Sequence, residues 1–221
     1  MGAAETREDL IDAAWELFAE HGYAGTSVQA IINRLQLSKG GFYHHFASKS
    51  ALLEALAQRL AQRETSLLGS ALSAADGDPA LRVSLLLSVC RIWHPSLLEW
   101  TPQLAKALSR DDNQHIAQAL EEARAKLLSA LLERVLQSGA SQGLFQLDEP
   151  QMSAHMLMLF SERAYTELLM RLVRGASIES LLSSSHAYIG GVERLLGTRQ
   201  SLLPRVAAEH IAQIVEAAQR R

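Results

Sequence analysis

Cysteine occurs once in the chain, at Cys90, so no disulfide can form within it, and a lone thiol fits a reducing compartment. Aromatic residues make up only 5%, and no stretch alternates apolar and polar residues for long, which removes the pattern of half-buried strands. No run of about 18 or more apolar residues is present to span a membrane. The opening MGAAETREDL lacks the apolar centre of a signal peptide. A soluble, cytoplasmic protein is therefore expected. The formal net charge is −3, so the chain cannot coat nucleic acid by bulk charge, and any such contact must come from a local patch. The eight histidines are scattered, with no His-x-x-x-His spacing beside an acid. No nucleophile motif stands out. Neither enzyme activity, nor a metal, nor a cofactor is expected.

What the chain does have is helix formers. Leu, Ala, Glu, Gln and Arg dominate, and apolar residues reach 48% of 221, enough for a sizeable core. The spacing predicts an all-α fold. Leu10, Ala14, Leu17 and Phe18 line one face of a first helix over about 5–21, with Gly22 as a left-handed C-cap. Thr26 or Ser27 caps a short second helix with Val28, Ile31, Ile32 and Leu35 inward. After a break at Gln36 and Leu37, Ser38 caps a third helix through Phe46, and Ser48 a fourth over about 48–75. Two short helices joined by a turn and packed on a longer one make a helix-turn-helix. Further helices are expected near 79–92, 96–109, 113–138, 149–174 and 177–196. A loop is expected at 138–143, and a last helix opened by Pro204.

Between His21 and Leu53 there is no Asp or Glu, although the rest of the chain is rich in both. The same stretch holds Arg34, Lys39, Lys49, His44 and His45. A surface free of acids with a few cations is what phosphate binding requires. Gly40 and Gly41 remove side chains at the start of the third helix and let backbone approach a groove. The amides there, with Ser38 and Lys39, favour a phosphate. Tyr43 can offer its hydroxyl to a phosphate, and Gln29 can read a base edge. Each has a plainer reading: Ser38 and Ser48 cap helices in any protein, Tyr43 can be a half-buried ring, and a lone lysine can be a solvated charge. The adjacent His44 and His45 point about 100° apart, which disfavours joint chelation of a metal.

The segment Gly22–Leu53, above all LSKGGFYHHFASKSALL, resembles the N-terminal DNA-binding region of the TetR family of transcriptional regulators. The Gly-Tyr after the first helix, the Thr-Ser-Val opening the second and the Ser-Lys-Gly before the third carry the likeness. So do Phe42-Tyr43-His44-His45-Phe46 and Ser48-Lys49. It covers roughly a quarter of the chain. The resemblance implies a helix-turn-helix domain over 1–48, joined by a long fourth helix to a helical effector-binding and dimerisation domain over 49–221. It also implies DNA contacts from Ser27, Gln29, Ser38, Lys39, Gly40, Gly41, Tyr43, His44, His45 and Lys49. Two positions depart from the family's pattern. Gln36 stands where the turn commonly has glycine and a positive φ, at a cost of roughly 1 kcal/mol. Ala51 replaces an acid that often completes a capping box.

One helix-turn-helix spans few base pairs, so a homodimer on a palindromic double-stranded operator is expected. The helices near 149–174 and 177–196 are the candidate interface, with Gly190 and Gly191 admitting a partner helix or marking a kink. By resemblance, the middle helices enclose a pocket for a small, largely apolar effector, lodged against the fourth helix. Trp93, His94, Trp100, Met156, Met158 and Tyr165 are its candidate residues, although Met and aromatics at helical spacing also read as core. The implied function is a repressor released from DNA by that effector. Two alternatives stay open: a DNA-binding activator or architectural protein without an effector, and a helical carrier or enzyme.

Overall fold

The computed structural model describes residues 3–110, 113–198 and 201–219, and all regular structure among them is helical. The α-helices are α1 (Ala3–His21), α2 (Val28–Leu35), α3 (Lys39–His45), α4 (Lys49–Leu67), α5 (Gly69–Ala74) and α6 (Pro79–Leu86). They continue as α7 (Ser88–Arg91), α8 (Trp100–Leu108), α9 (Gln114–Ser141), α10 (Pro150–Val173), α11 (Ile178–Leu195) and α12 (Ala208–Gln219). A 3-10 turn covers Pro95–Leu97. The chain divides into two compact units, one of residues 1–63 with 106–124, the other of 64–105 with 125–221. The first unit thus runs past the division expected at residue 49 and takes in a second, distant piece of chain.

In the first unit α1 packs on α2 and α2 on α3. Leu10, Ile11, Ala14, Phe18, Ile31, Ile32, Phe42, Phe46, Leu52 and Leu56 are buried there. At roughly 25 cal/mol per Å² of apolar area removed from water, such a set is what holds three short helices together. Asn113, wholly buried, explains why the distant piece belongs here. Its Oδ1 accepts from the Tyr23 amide at 2.8 Å, and its Nδ2 donates to Phe18 O at 3.1 Å and Ala107 O at 2.7 Å. The α1–α2 corner is further tied by Thr26 Oγ1, donating to Gly22 O and Leu17 O. Gly22 has φ 79°, the left-handed cap its position predicts.

The second unit centres on α10 and α11, against which α7 packs; α12 packs on α11. Several boundaries differ from those predicted, each for a tertiary reason. The helix expected over 48–75 breaks at Leu68, which turns fully inward. The helix expected over 79–92 breaks at Leu87, whose ψ of 122° is extended. Side chains replace the lost helical bonds: Arg91 donates to Leu86 O and Leu85 O, and Val89 N donates to Ser161 Oγ at 3.0 Å. Ser88 Oγ donates to Glu162 at 2.5 Å. Residues 138–141, expected as loop, are helical. Gly139 lies so close to the Phe145 ring that a Cβ would stand 2.2 Å from it, and Gly143, with φ 72°, ends the turn. Pro204 does not open the last helix, which starts at Ala208.

What holds 201–203 and Arg205 instead is the buried Glu193. It accepts from Leu202 N at 2.9 Å, Leu203 N at 3.0 Å and Arg205 Nη2 at 2.5 Å. Nor do Gly190 and Gly191 kink or end a helix. α11 runs through both, and a Cβ on Gly191 would meet the Phe160 ring of α10 at 2.8 Å. The close neighbour of Gly191 is the chain's own helix.

Candidate nucleic-acid interface and effector cavity

Ser27 and Ser38 sit in extended conformation at the N-caps of α2 and α3, each hydroxyl oxygen accepting from the amide three residues on, at 3.1 and 3.0 Å. Capping uses the oxygen and leaves each hydroxyl proton free to be donated. Between the helices Gln36 takes φ 54°, ψ 35°, the left-handed geometry anticipated at this turn. Phe42 and Phe46 are buried, and Tyr43 between them is 55% exposed, its ring edge-on to Phe42 at 5.2 Å. The ring thus packs on Phe42 while about half of the residue stays exposed. Lys39 and His44 are exposed and His45 half-buried. Lys39 makes no ion pair with any described residue.

Gly40 and Gly41 are not demanded by the protein's own packing: a Cβ on either would meet Ser38 Oγ only at ordinary contact, 3.7 and 3.5 Å. Gly25 is the opposite case, since a Cβ would press on His21 O at 2.5 Å.

Three of the sequence-predicted groups find partners in the fold. Arg34 Nη2 bonds Glu16 of α1 at 2.7 Å, which offsets its charge. Gln29 Nε2 donates to Asn33 Oδ1 at 2.8 Å on an exposed face. Lys49 Nζ donates to Tyr23 O at 2.8 Å and Thr26 O at 2.9 Å and lies 4.2 Å from the centre of the Tyr23 ring. Partial burial lowers the Lys49 ammonium from its ordinary range. Its third N–H is what remains for a phosphate. Asn113 has no signal in the sequence, being a single polar residue about ninety positions from the corner it completes.

In the second unit a cavity of about 430 Å³ opens among α5, α6, α7, the 3-10 turn and the segment leading into α12. Leu81, Leu85, Trp93, Pro95 and Val206 give it apolar walls, and His94, Cys90, Arg205 and His210 are its main polar groups. Trp93 and His94 thus line it as expected, with Trp93 fixed by its Nε1 donating to Ser185 Oγ at 2.7 Å. Burial pushes the Cys90 thiol up to about 12, so it stays protonated. Burial, and then His210, lower His94. Trp100, Tyr165 and Met158 are buried core residues that do not line this cavity. Met156 does not line it either: it is 49% exposed, with Met152 and Leu159 beside it on one outward face of α10. Their spacing of four and then three residues makes this a single stripe. Ala71 and Ala74 of α5, which fall at the end of the fourth helix as predicted over 48–75, give one wall and α6 another.

The family model described as bacterial regulatory proteins, tetR family, matches residues 10–56. That is the three-helix core together with the first turns of α4, the segment that carries the capped and acid-free face. The HTH-type transcriptional repressor AcnR of Corynebacterium diphtheriae is 29% identical over 180 residues, covering 79% of this chain and 85% of that protein. Family model, curated relatives and solved structures all indicate the TetR family. The HTH-type transcriptional regulator UidR of Escherichia coli shares 43% identity over 54 residues, 24% of the chain and 28% of UidR's own length. The stronger identity is thus confined to the helix-turn-helix. FadR of Bacillus subtilis, solved in complex with stearoyl-CoA, superposes with a TM-score of 0.59 over 86% of this chain and 97% of its own, at 21% identity. The shared fold thus extends beyond the helix-turn-helix. Among the described residues no helix is long and apolar enough to cross a membrane, and no cluster of side chains suits a metal ion.

Proposed function

We propose that this TetR-family chain is a transcriptional regulator that binds a palindromic operator as a homodimer and is released from it by a small, largely apolar ligand. One observation carries the DNA-binding part. A capped, acid-free face presents Lys39, Tyr43 and His44 beside two glycines whose missing side chains the protein's own packing does not explain. Ser27, Gln29, Ser38, Gly40, Gly41 and His45 complete that face, and Lys49 acts on it chiefly by fixing the α1–α2 corner. The division of labour follows the two units, with the helix-turn-helix in the first and the effector cavity in the second.

The outward stripe of Met152, Met156 and Leu159 supports pairing through α10. A row of large apolar side chains exposed on one helix is costly to leave in water. A dimer presents two recognition helices about 34–36 Å apart, the repeat of the major groove. A ligand that reverses a 99:1 preference for the bound state must favour the released state by about 5.5 kcal/mol. Repression as the sign of control agrees with the repressor AcnR, similar over most of the chain.

The test is selection from random duplex DNA by the purified, ligand-free protein, followed by titration of the winning sequence at several salt concentrations. A palindrome whose affinity falls steeply with salt is the expected result. Enrichment of nothing, or of a sequence without two-fold symmetry, removes the proposal.

A further inference from the structure

The groups that line the cavity of the second unit are uneven in charge. Among the described residues they include one arginine, two histidines and a thiol, but no Asp or Glu. Two acids beside these groups, Glu193 and Glu209, are engaged or turned outward. Glu193 of α11 is saturated by Arg205, Ser201 and the amides of Leu202 and Leu203. Glu209 of α12 is exposed, 4.0 Å from His210. His186 of α11 bonds Val206 O at 3.0 Å and so holds the same segment from the other side. His94 Nδ1 accepts from the Ser96 amide at 3.2 Å, which puts the proton of the neutral ring on Nε2 and makes that atom a donor. The polar end of the cavity therefore offers donors and cationic character, against walls of Leu81, Leu85 and Trp93.

We infer that the cavity takes an apolar organic carboxylate, its hydrocarbon body against Leu81, Leu85 and Trp93 and its carboxylate at the His94–His210 end beside Arg205. This rests on the effector reading above and names the chemistry of that same site. Burial disfavours a charge on His94, and a charge on the His210 imidazole opposes it further. A carboxylate between them reverses both effects, so binding takes up a proton near neutral pH. The Cys90 thiol remains a donor throughout, and Arg205, paired with Glu193, adds a guanidinium to the same end. A neutral ligand of the same shape gains none of this. An amine has to desolvate next to Arg205.

Three probes with one apolar body separate the cases: biphenyl-4-carboxylate, biphenyl-4-carboxamide and biphenyl-4-methanamine. Calorimetric titration of the full chain, in two buffers of different ionisation enthalpy, reads affinity and proton uptake together. The carboxylate is expected to bind about tenfold tighter than the amide, as a charge-assisted contact implies. It should weaken by about tenfold between about pH 6 and about pH 8, with net proton uptake at the lower end. The double variant H94Q/H210Q should bring carboxylate and amide to the same affinity. A74W, which adds an indole at the exposed rim, should abolish binding while helical circular dichroism stays unchanged.

Equal binding of carboxylate and amide by the wild-type chain overturns the inference. So does a carboxylate preference that survives H94Q/H210Q, or no binding of any probe at about 1 mM, where only about 4 kcal/mol is required. A separate DNA-release assay keeps the two readings apart. Carboxylate binding without a change in operator affinity leaves the site standing and removes its effector role. Release of DNA equally by the amide keeps the effector role and removes the carboxylate.

Discussion

Single side chains divide the DNA-facing segment into groups that contact and groups that hold. Lys39 is exposed and makes no ion pair with any described residue, whereas Lys49 is tied to Tyr23 O and Thr26 O. Lys39→Met is therefore expected to weaken operator binding and lower the salt slope by about one charge per half-site, with stability unchanged. Lys49→Met should instead cost about 1–3 kcal/mol in a denaturant melt, from two carbonyls left without their donor, and change the salt slope little. The same slope loss in both variants would show that Lys49 also meets phosphate. Gln36, at φ 54°, carries the strain of a side chain in a left-handed turn. Gln36→Gly relieves it but loosens the unfolded chain, so a net gain of about 0.5 kcal/mol in thermal unfolding is expected. His94 has a lowered folded pKa, so the unfolded chain binds the proton more readily. Its effect on stability is nil well above the ordinary histidine value near 6.5 and becomes destabilising as pH falls through it. His94→Gln should flatten that acid-side loss in a series of pH melts.

At the level of elements, the breaks matter more than the helices. Arg91 takes the carbonyls freed where α6 ends and faces Glu64 at 3.4 Å, both side chains being almost wholly buried. Arg91→Met removes a cation from beside the buried Glu64 carboxylate and the side-chain donor of two carbonyls, so a loss of about 3 kcal/mol is expected, read by chemical denaturation. The α9 end depends on Gly139 in the opposite sense. Gly139→Ala sets a methyl group 2.2 Å from the Phe145 ring, and overpacking of that kind costs about 1–3 kcal/mol. Helix propensity alone predicts the reverse sign, since alanine is the better helix former. The melt of this one variant therefore tells whether packing or propensity governs the segment.

For the whole molecule, the proposed dimer makes DNA binding depend on a surface remote in sequence from the helix-turn-helix. Met156→Glu places a charge in the middle of the outward stripe of α10. Sedimentation of the variant is expected to show a monomer with native helical content and operator affinity reduced by at least about a hundredfold, because two-site binding is lost. A dimer that persists in Met156→Glu assigns the interface elsewhere. Asn113 belongs to this scale too, since it joins the α1–α2 corner to a segment some ninety residues away. Its replacement by alanine should both destabilise the first unit and loosen the corner that positions α2 and α3.

The helical class, the caps at Ser27 and Ser38, the left-handed Gly22 and Gln36, and the acid-free face were all legible in the sequence. Each depends on residues within a few positions of one another, and capping, turn geometry and local charge act over that range. Trp93 and His94 line the cavity, but in the sequence nothing set them apart from Trp100 and Tyr165, which are core. Met156 looked the same in sequence, yet faces outward: a 3.6-residue period says that a helix has an apolar side, not what covers it. The breaks at Leu68 and Leu87, the helix through Gly139, the late start of α12 and the roles of Asn113 and Lys49 were decided only by tertiary structure. At each of these the governing partner lies far along the chain, or across a turn that no period encodes, and only the folded structure brings the two together.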